Sequence, residues 1–89
     1  MKSIELVWSP SCTKVKATEG NLREAMALAG LSLSYTPWMI GDDLPQRLQG
    51  YSSPTILIDG NDVGPGEGAE QSECRGLPSV DQILAVLRG

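Results

Sequence analysis

Cys12 and Cys74 are the two thiols of this chain, which contains no histidine. A thiol attacks only as its thiolate, so it does chemistry where it is reachable and where nearby positive charge favours ionisation. Cys12 follows Trp8-Ser9-Pro10-Ser11, at the point where a β-rich run gives way to a helical pattern. A helix N-terminus there would supply unpaired N–H groups and the positive end of the helix dipole. Lys14 and Lys16 add basic charge nearby. Cys74 lies among Ser72, Glu73 and Arg75, a polar setting that favours partial exposure. Thiol–disulfide exchange is the chemistry these positions suit. The plainer reading of a lone cysteine on a helix is a small buried apolar residue, and it stands beside the reactive reading for Cys12. Zinc would need carboxylates and two thiols far apart in sequence, so no metal site is expected. A soft metal ion such as Cu(I) or Hg(II) would require the two sulfurs to converge.

The elements that would position Cys12 follow from patterning. Ile4-Glu5-Leu6-Val7-Trp8 reads as a buried strand, broken by Ser9-Pro10. Ser9 or Ser11 can cap the helix that follows, with Pro10 tolerated in its first turn. That helix is predicted from about Cys12 to Ala29, with Val15, Leu22, Ala25, Met26 and Ala29 on one face, Gly20 weakening its middle and Gly30 stopping it. Leu31-Ser32-Leu33-Ser34-Tyr35-Thr36 alternates with period two and is predicted as a strand ended by Pro37. Strand, helix and strand in that order imply a right-handed parallel crossover. A short helix is predicted over 42–49 and a strand over Thr55-Ile56-Leu57-Ile58. Asp59-Gly60 or Gly60-Asn61 would then turn the chain into an antiparallel strand near Asp62-Val63. Gly64-Pro65-Gly66-Glu67-Gly68 reads as a connector, because no Lys-Ser or Lys-Thr follows to make a phosphate cradle. Ser79-Val80-Asp81-Gln82 is a capping-box pattern opening a last helix that carries Val80, Ile83, Leu84, Val86 and Leu87 inward.

Size and composition bound these readings. The chain has 89 residues, enough for one domain over its whole length. With four aromatic residues and no phenylalanine, its core must be aliphatic. The net charge of -4 argues against a nucleic-acid binder held by phosphate neutralisation. Five acidic and no basic residues lie between Asp59 and Glu73, most simply a solvated loop, or else a selector of basic partners. No stretch reaches membrane-spanning length, and Lys14, Lys16, Glu19 and Arg23 interrupt any signal-peptide-like run, so a cytoplasmic location and no membrane partner are expected. A monomer is expected. Two cysteines do not make a disulfide-stapled secreted miniprotein.

The element order, with a proline just ahead of the third strand, resembles the thioredoxin/glutaredoxin-like superfamily over nearly the whole chain. Ser53-Pro54-Thr55-Ile56-Leu57-Ile58-Asp59-Gly60 resembles the segment that carries a cis-proline facing the active site in that family. Ser9-Pro10-Ser11-Cys12 stands in place of the family's Cys-X-X-Cys, and Cys74-Arg75 is similar to a late cysteine–arginine pair of small bacterial thioredoxin-like proteins. The resemblance implies an α/β fold with a four-stranded mixed sheet (β-α-β-α-β-β-α) and helices on both faces. It implies redox chemistry with a protein or a small thiol or disulfide, glutathione among the candidate substrates and no bound cofactor. Cys12, Ser9 and Cys74 would form the reactive centre, and Trp8, Pro10, Ser53, Pro54 and Thr55 would bind substrate. Trp8 and Trp38 would flank the site or pack in the core.

The departure from the family is Ser9, which stands where the attacking cysteine would be and leaves Cys12 in the resolving position. Three readings stay open: a natural monothiol or inactive site, a serine introduced in place of a native cysteine, or a Cys12–Cys74 bridge. The bridge would close most of the chain into one loop, worth about 4 kcal/mol if unstrained, and in the cytoplasm it would act as a switch. The rival to exchange chemistry is a non-catalytic peptide- or protein-binding module that keeps the cis-proline groove. A soft-metal carrier using Cys12 and Cys74 is the third reading.

Overall fold

A computed structural model describes residues 3–32, 34–64, 76 and 78–88. The order along the chain is β1 (Ile4–Trp8), α1 (Val15–Leu28), β2 (Thr36–Met39), a 3-10 turn (Gln46–Leu48), β3 (Thr55–Ile58), β4 (Asn61–Asp62) and α2 (Val80–Arg88). The strands form one mixed sheet in the spatial order β2-β1-β3-β4. β1 runs parallel to β2 and antiparallel to β3, and β4 returns antiparallel beside β3. The expected α/β class and four-stranded mixed sheet are therefore present.

Alternation along β1 and β3 divides the interior in two. Ile4, Leu6, Ile56 and Ile58 face α1 and α2 and meet Leu22, Ala25, Met26, Ile83, Leu84 and Leu87. On the opposite face Val7 and Leu57 pack with Leu48, flanked by Trp38, Ile40, Leu44 and Tyr51. Both α-helices thus share one face of the sheet. The second face is covered by Trp38 of β2, the 3-10 turn and the loops beside it, so the expected helical cover on that face is reduced to one 3-10 turn. The predicted helix over 42–49 is confined to Gln46–Leu48, where it delivers Leu48 to the smaller core.

β2 lies later than the alternating pattern placed it. The described residues between Leu31 and Tyr35 form no strand. Ser34 N–H donates to the Ser32 carbonyl at 2.8 Å, closing a tight turn there. Leu31 and Tyr35 pack against the larger core from this loop, and the Tyr35 hydroxyl is hydrogen-bonded to Glu19. The period-two pattern reflected burial without strand pairing. Pro37, expected to end a strand, lies inside β2. β2 is the sheet's edge and pairs only with β1, so a residue without an N–H is tolerated there.

Other boundaries obey local chemistry. Leu31 N–H donates to Met26 and Gly30 N–H to Ala27, with Gly30 at φ 74°, which is a Schellman closure of α1. Asp59 and Gly60 both have positive φ, as a tight hairpin turn between β3 and β4 requires. The Ser79 hydroxyl accepts the Gln82 N–H at 3.0 Å and caps α2, while the Gln82 side-chain amide donates to the Val63 and Gly64 carbonyls. No described helix is long and apolar enough to cross a membrane.

One buried charge interrupts the apolar sheet. Glu5, on β1 and 6% exposed, accepts both forks of the Arg47 guanidinium at 2.9 and 2.7 Å and the Trp38 indole N–H at 2.9 Å. The Arg47 hydrogen bond is the main force holding the Glu5 carboxyl below its ordinary value. Desolvation opposes it, and Trp38 and the charge of Arg47 reinforce it. A group depressed in this way stabilises the fold above its unfolded value, and that contribution is lost as pH falls through the folded value. Glu5→Gln is expected to flatten the dependence of the urea midpoint on pH between about 6 and about 2.5. Parallel curves for variant and parent would contradict this assignment. Gly20, exposed within α1, has nothing within 4 Å of where a Cβ would stand. Gly20→Ala is expected to raise stability by about 0.5–1 kcal/mol in urea denaturation.

Candidate functional site

The Trp8 carbonyl, at the end of β1, accepts the Ile40 N–H just beyond β2 at 2.7 Å. This bond carries the parallel pairing past both strands and ties their carboxyl ends together. Residues 51–53 arrive at the same end of the sheet, immediately before β3. Between these three segments lies a pocket of about 280 Å³ lined by Ser9, Ser11, Cys12, Ile40, Tyr51, Ser52 and Ser53. In open α/β sheets, the crevice beyond the carboxyl ends of strands is the usual ligand position.

The loop bearing Cys12 is organised by its own serines. Cys12 N–H donates to the Ser9 carbonyl at 3.0 Å, closing a turn. The Ser9 hydroxyl accepts the Ser11 N–H at 3.3 Å and lies 2.9 Å from the Ser11 hydroxyl. Neither serine therefore caps α1. The helix begins at Val15, with Lys14 at its cap position and no side-chain cap bond. The expected helix start at about Cys12 is thus three residues too early, and Cys12 stands ahead of the helix. Its residue is 9% exposed, and it lines the pocket. Cys12 is disulfide-bonded, and no described cysteine is free. Cys74, the chain's other cysteine, lies outside the described residues, as do its neighbour Arg75 and residues 65–68 of the glycine-rich connector.

Ser53 contributes the other unusual group. It is 4% exposed and lines the pocket, yet its hydroxyl oxygen has no hydrogen-bond partner. A buried polar atom left unpaired costs free energy that a ligand's polar atom could restore. The next peptide bond, Ser53–Pro54, is cis. Pro54 and Thr55 are fully buried, and the Thr55 hydroxyl donates to the Ser52 carbonyl at 2.5 Å.

The structure brings Ser9, Cys12 and Ser53 of the expected site residues to one pocket. Pro54 and Thr55 support it from the strand behind. Pro10 is exposed and does not line it. Trp8 does not line this pocket; with Val15, Glu19 and Pro37 it lines a separate hollow of about 240 Å³. Trp38 is held by Glu5 on the smaller core. Ser11, Ile40, Tyr51 and Ser52 also line the pocket and were not anticipated. Ser11 and Ser52 were signalled only by adjacency to Cys12 and Ser53, whereas Ile40 and Tyr51 had no such signal, since only the sheet topology brings the β2 and β3 ends together. Among the described residues, no three His, Cys, Asp or Glu side chains cluster as metal-ion ligands.

No protein-family model matches the chain, and no curated protein or solved structure matches it.

Two neighbouring hydroxyls should respond in opposite ways to removal. Ser53→Ala deletes an unpaired buried oxygen and is expected to leave stability unchanged or raise it by about 1 kcal/mol. Thr55→Val removes a satisfied bond and is expected to cost about 1 kcal/mol. Urea denaturation of both variants checks the contrast, and a clear loss in Ser53→Ala would show that its oxygen is paired.

Proposed function

We propose that this chain is a thioredoxin-like thiol–disulfide exchange protein whose reactive sulfur is Cys12. The observation that carries the reading is a disulfide-bonded cysteine lining an open pocket immediately before a helix. The strand and helix order, with Ser53 and Cys12 on one pocket, supports the family resemblance. Cys74 is the only other cysteine in the sequence and is taken as the redox partner.

The chemistry balances as follows. In the reduced protein the Cys12 thiolate attacks one sulfur of a substrate disulfide. A Cys12–substrate disulfide forms, and the departing thiolate takes up a proton. The Cys74 thiolate then attacks the Cys12 sulfur, restoring the protein disulfide and releasing the second substrate thiol. Two electrons pass from the protein dithiol to the substrate, and a dithiol reductant resets the protein. The reverse sequence oxidises a substrate dithiol. Standing three residues before α1 and lining the pocket, Cys12 takes the attacking role. Ser9 then shapes the loop and needs no thiol of its own.

The test is reduction of a chromogenic disulfide by the full-length protein, recycled by dithiothreitol. Exchange is expected to exceed that of free cysteine and to fall about 100-fold or more in Cys12→Ser, because an alcohol does not replace a thiolate. Equal rates in parent and variant would refute the role of Cys12.

A further inference from the structure

Beside the Cys12 pocket lies a second hollow. Ile40 and Tyr51 line both, and the second, of about 240 Å³, is completed by Gly41, Asp42, Asp43, Leu44, Leu48, Gln49 and Gly50. The two hollows adjoin along Ile40 and Tyr51 and differ in chemistry. At the first lie the Cys12 sulfur and the buried Ser53 hydroxyl, whose missing partner points to a ligand. At the second lie two exposed carboxylates, Asp42 and Asp43, neither of which has a side-chain hydrogen bond or ion pair among the described residues. Among the described residues, no lysine or arginine lines either hollow. Arg47, the basic residue of the adjoining 3-10 turn, is held by both oxygens of Glu5.

We infer that the adjoining hollows take a basic, cysteine-bearing peptide segment, with its sulfur at Cys12 and a lysine or arginine a few residues away at Asp42 and Asp43. This deepens the exchange reading and rests on it. Their junction, at Ile40 and Tyr51, suits an extended backbone, and the Ser53 hydroxyl has a free valence for one of its polar atoms. Glutathione fits poorly for a physical reason. It carries two carboxylates against one ammonium group, and the exposed Asp42 and Asp43 carboxylates repel that charge. The net charge of -4 adds a long-range field of the same sign.

The test compares second-order rates of reduction, by the reduced full-length protein, of three disulfide-linked peptides differing only in flanking residues: lysine, serine or glutamate. Oxidised glutathione is the fourth substrate. At about 20 mM salt the lysine peptide is expected to react about tenfold faster than the glutamate peptide and glutathione disulfide, and the advantage is expected to shrink to about twofold at about 300 mM, as screening requires. Asp42→Asn combined with Asp43→Asn should abolish the advantage, so that the lysine and glutamate peptides react at equal rates. Equal rates for the three peptides, or a preference that survives the double substitution, would overturn the inference and leave the exchange reading standing. Absence of exchange with every substrate would overturn both.

Discussion

The carboxylate of Glu5 sits in the centre of the sheet, and three elements must be in place to hold it. β1 carries it, β2 supplies the Trp38 indole, and the 3-10 turn supplies the Arg47 fork. A buried carboxylate without such partners would cost several kcal/mol, so the arrangement of the second face is fixed by electrostatic need as much as by apolar packing. The same three elements run directly into the pocket. β1 leads to the Ser9–Cys12 turn, β2 leads to Ile40, and the 3-10 turn leads to Tyr51, Ser52 and Ser53. The charge cluster therefore fixes the elements that lead into the pocket, although Glu5, Trp38 and Arg47 do not line it.

The two faces of the sheet carry different duties. α1 and α2 enclose an aliphatic core against Ile4, Leu6, Ile56 and Ile58, which supplies most of the burial. The other face is thinner, built on Val7, Leu48 and Leu57 with loop residues around them. Loops can reach the pocket there without crossing a helix. This division places Cys12 beside the polar loop residues Ser9, Ser11, Ser52 and Ser53, away from the helical side of the sheet.

Much of this was legible in the residues, for identifiable reasons. Gly30, Asp59-Gly60 and Ser79 announced their turns and caps because backbone chemistry dictates them locally, and the structure shows all three. The Ser53-Pro54 segment marked a wall of the pocket. Two expectations failed where local pattern met a competing partner. Ser9 and Ser11 looked like caps for α1, yet each found the other closer than a helix N–H. Leu31 and Tyr35 alternated as a strand would, yet they are pinned to the core from a loop, and pairing passed to Thr36–Met39 through an edge that accepts Pro37. The place of Asp42 and Asp43 next to the Cys12 pocket was invisible because they read simply as the start of the helix predicted over 42–49. Only the approach of Ile40 to Tyr51 joins them to Cys12.

A redox centre and a structural staple differ most plainly in reduction potential. Equilibrating the full-length protein in glutathione redox buffers and counting trapped thiols by mass gives that potential. The account requires a value in the range of exchange proteins, about -120 to -270 mV. A value below about -300 mV, resistant to the glutathione pool, would mark the Cys12 disulfide as a staple and contradict the account.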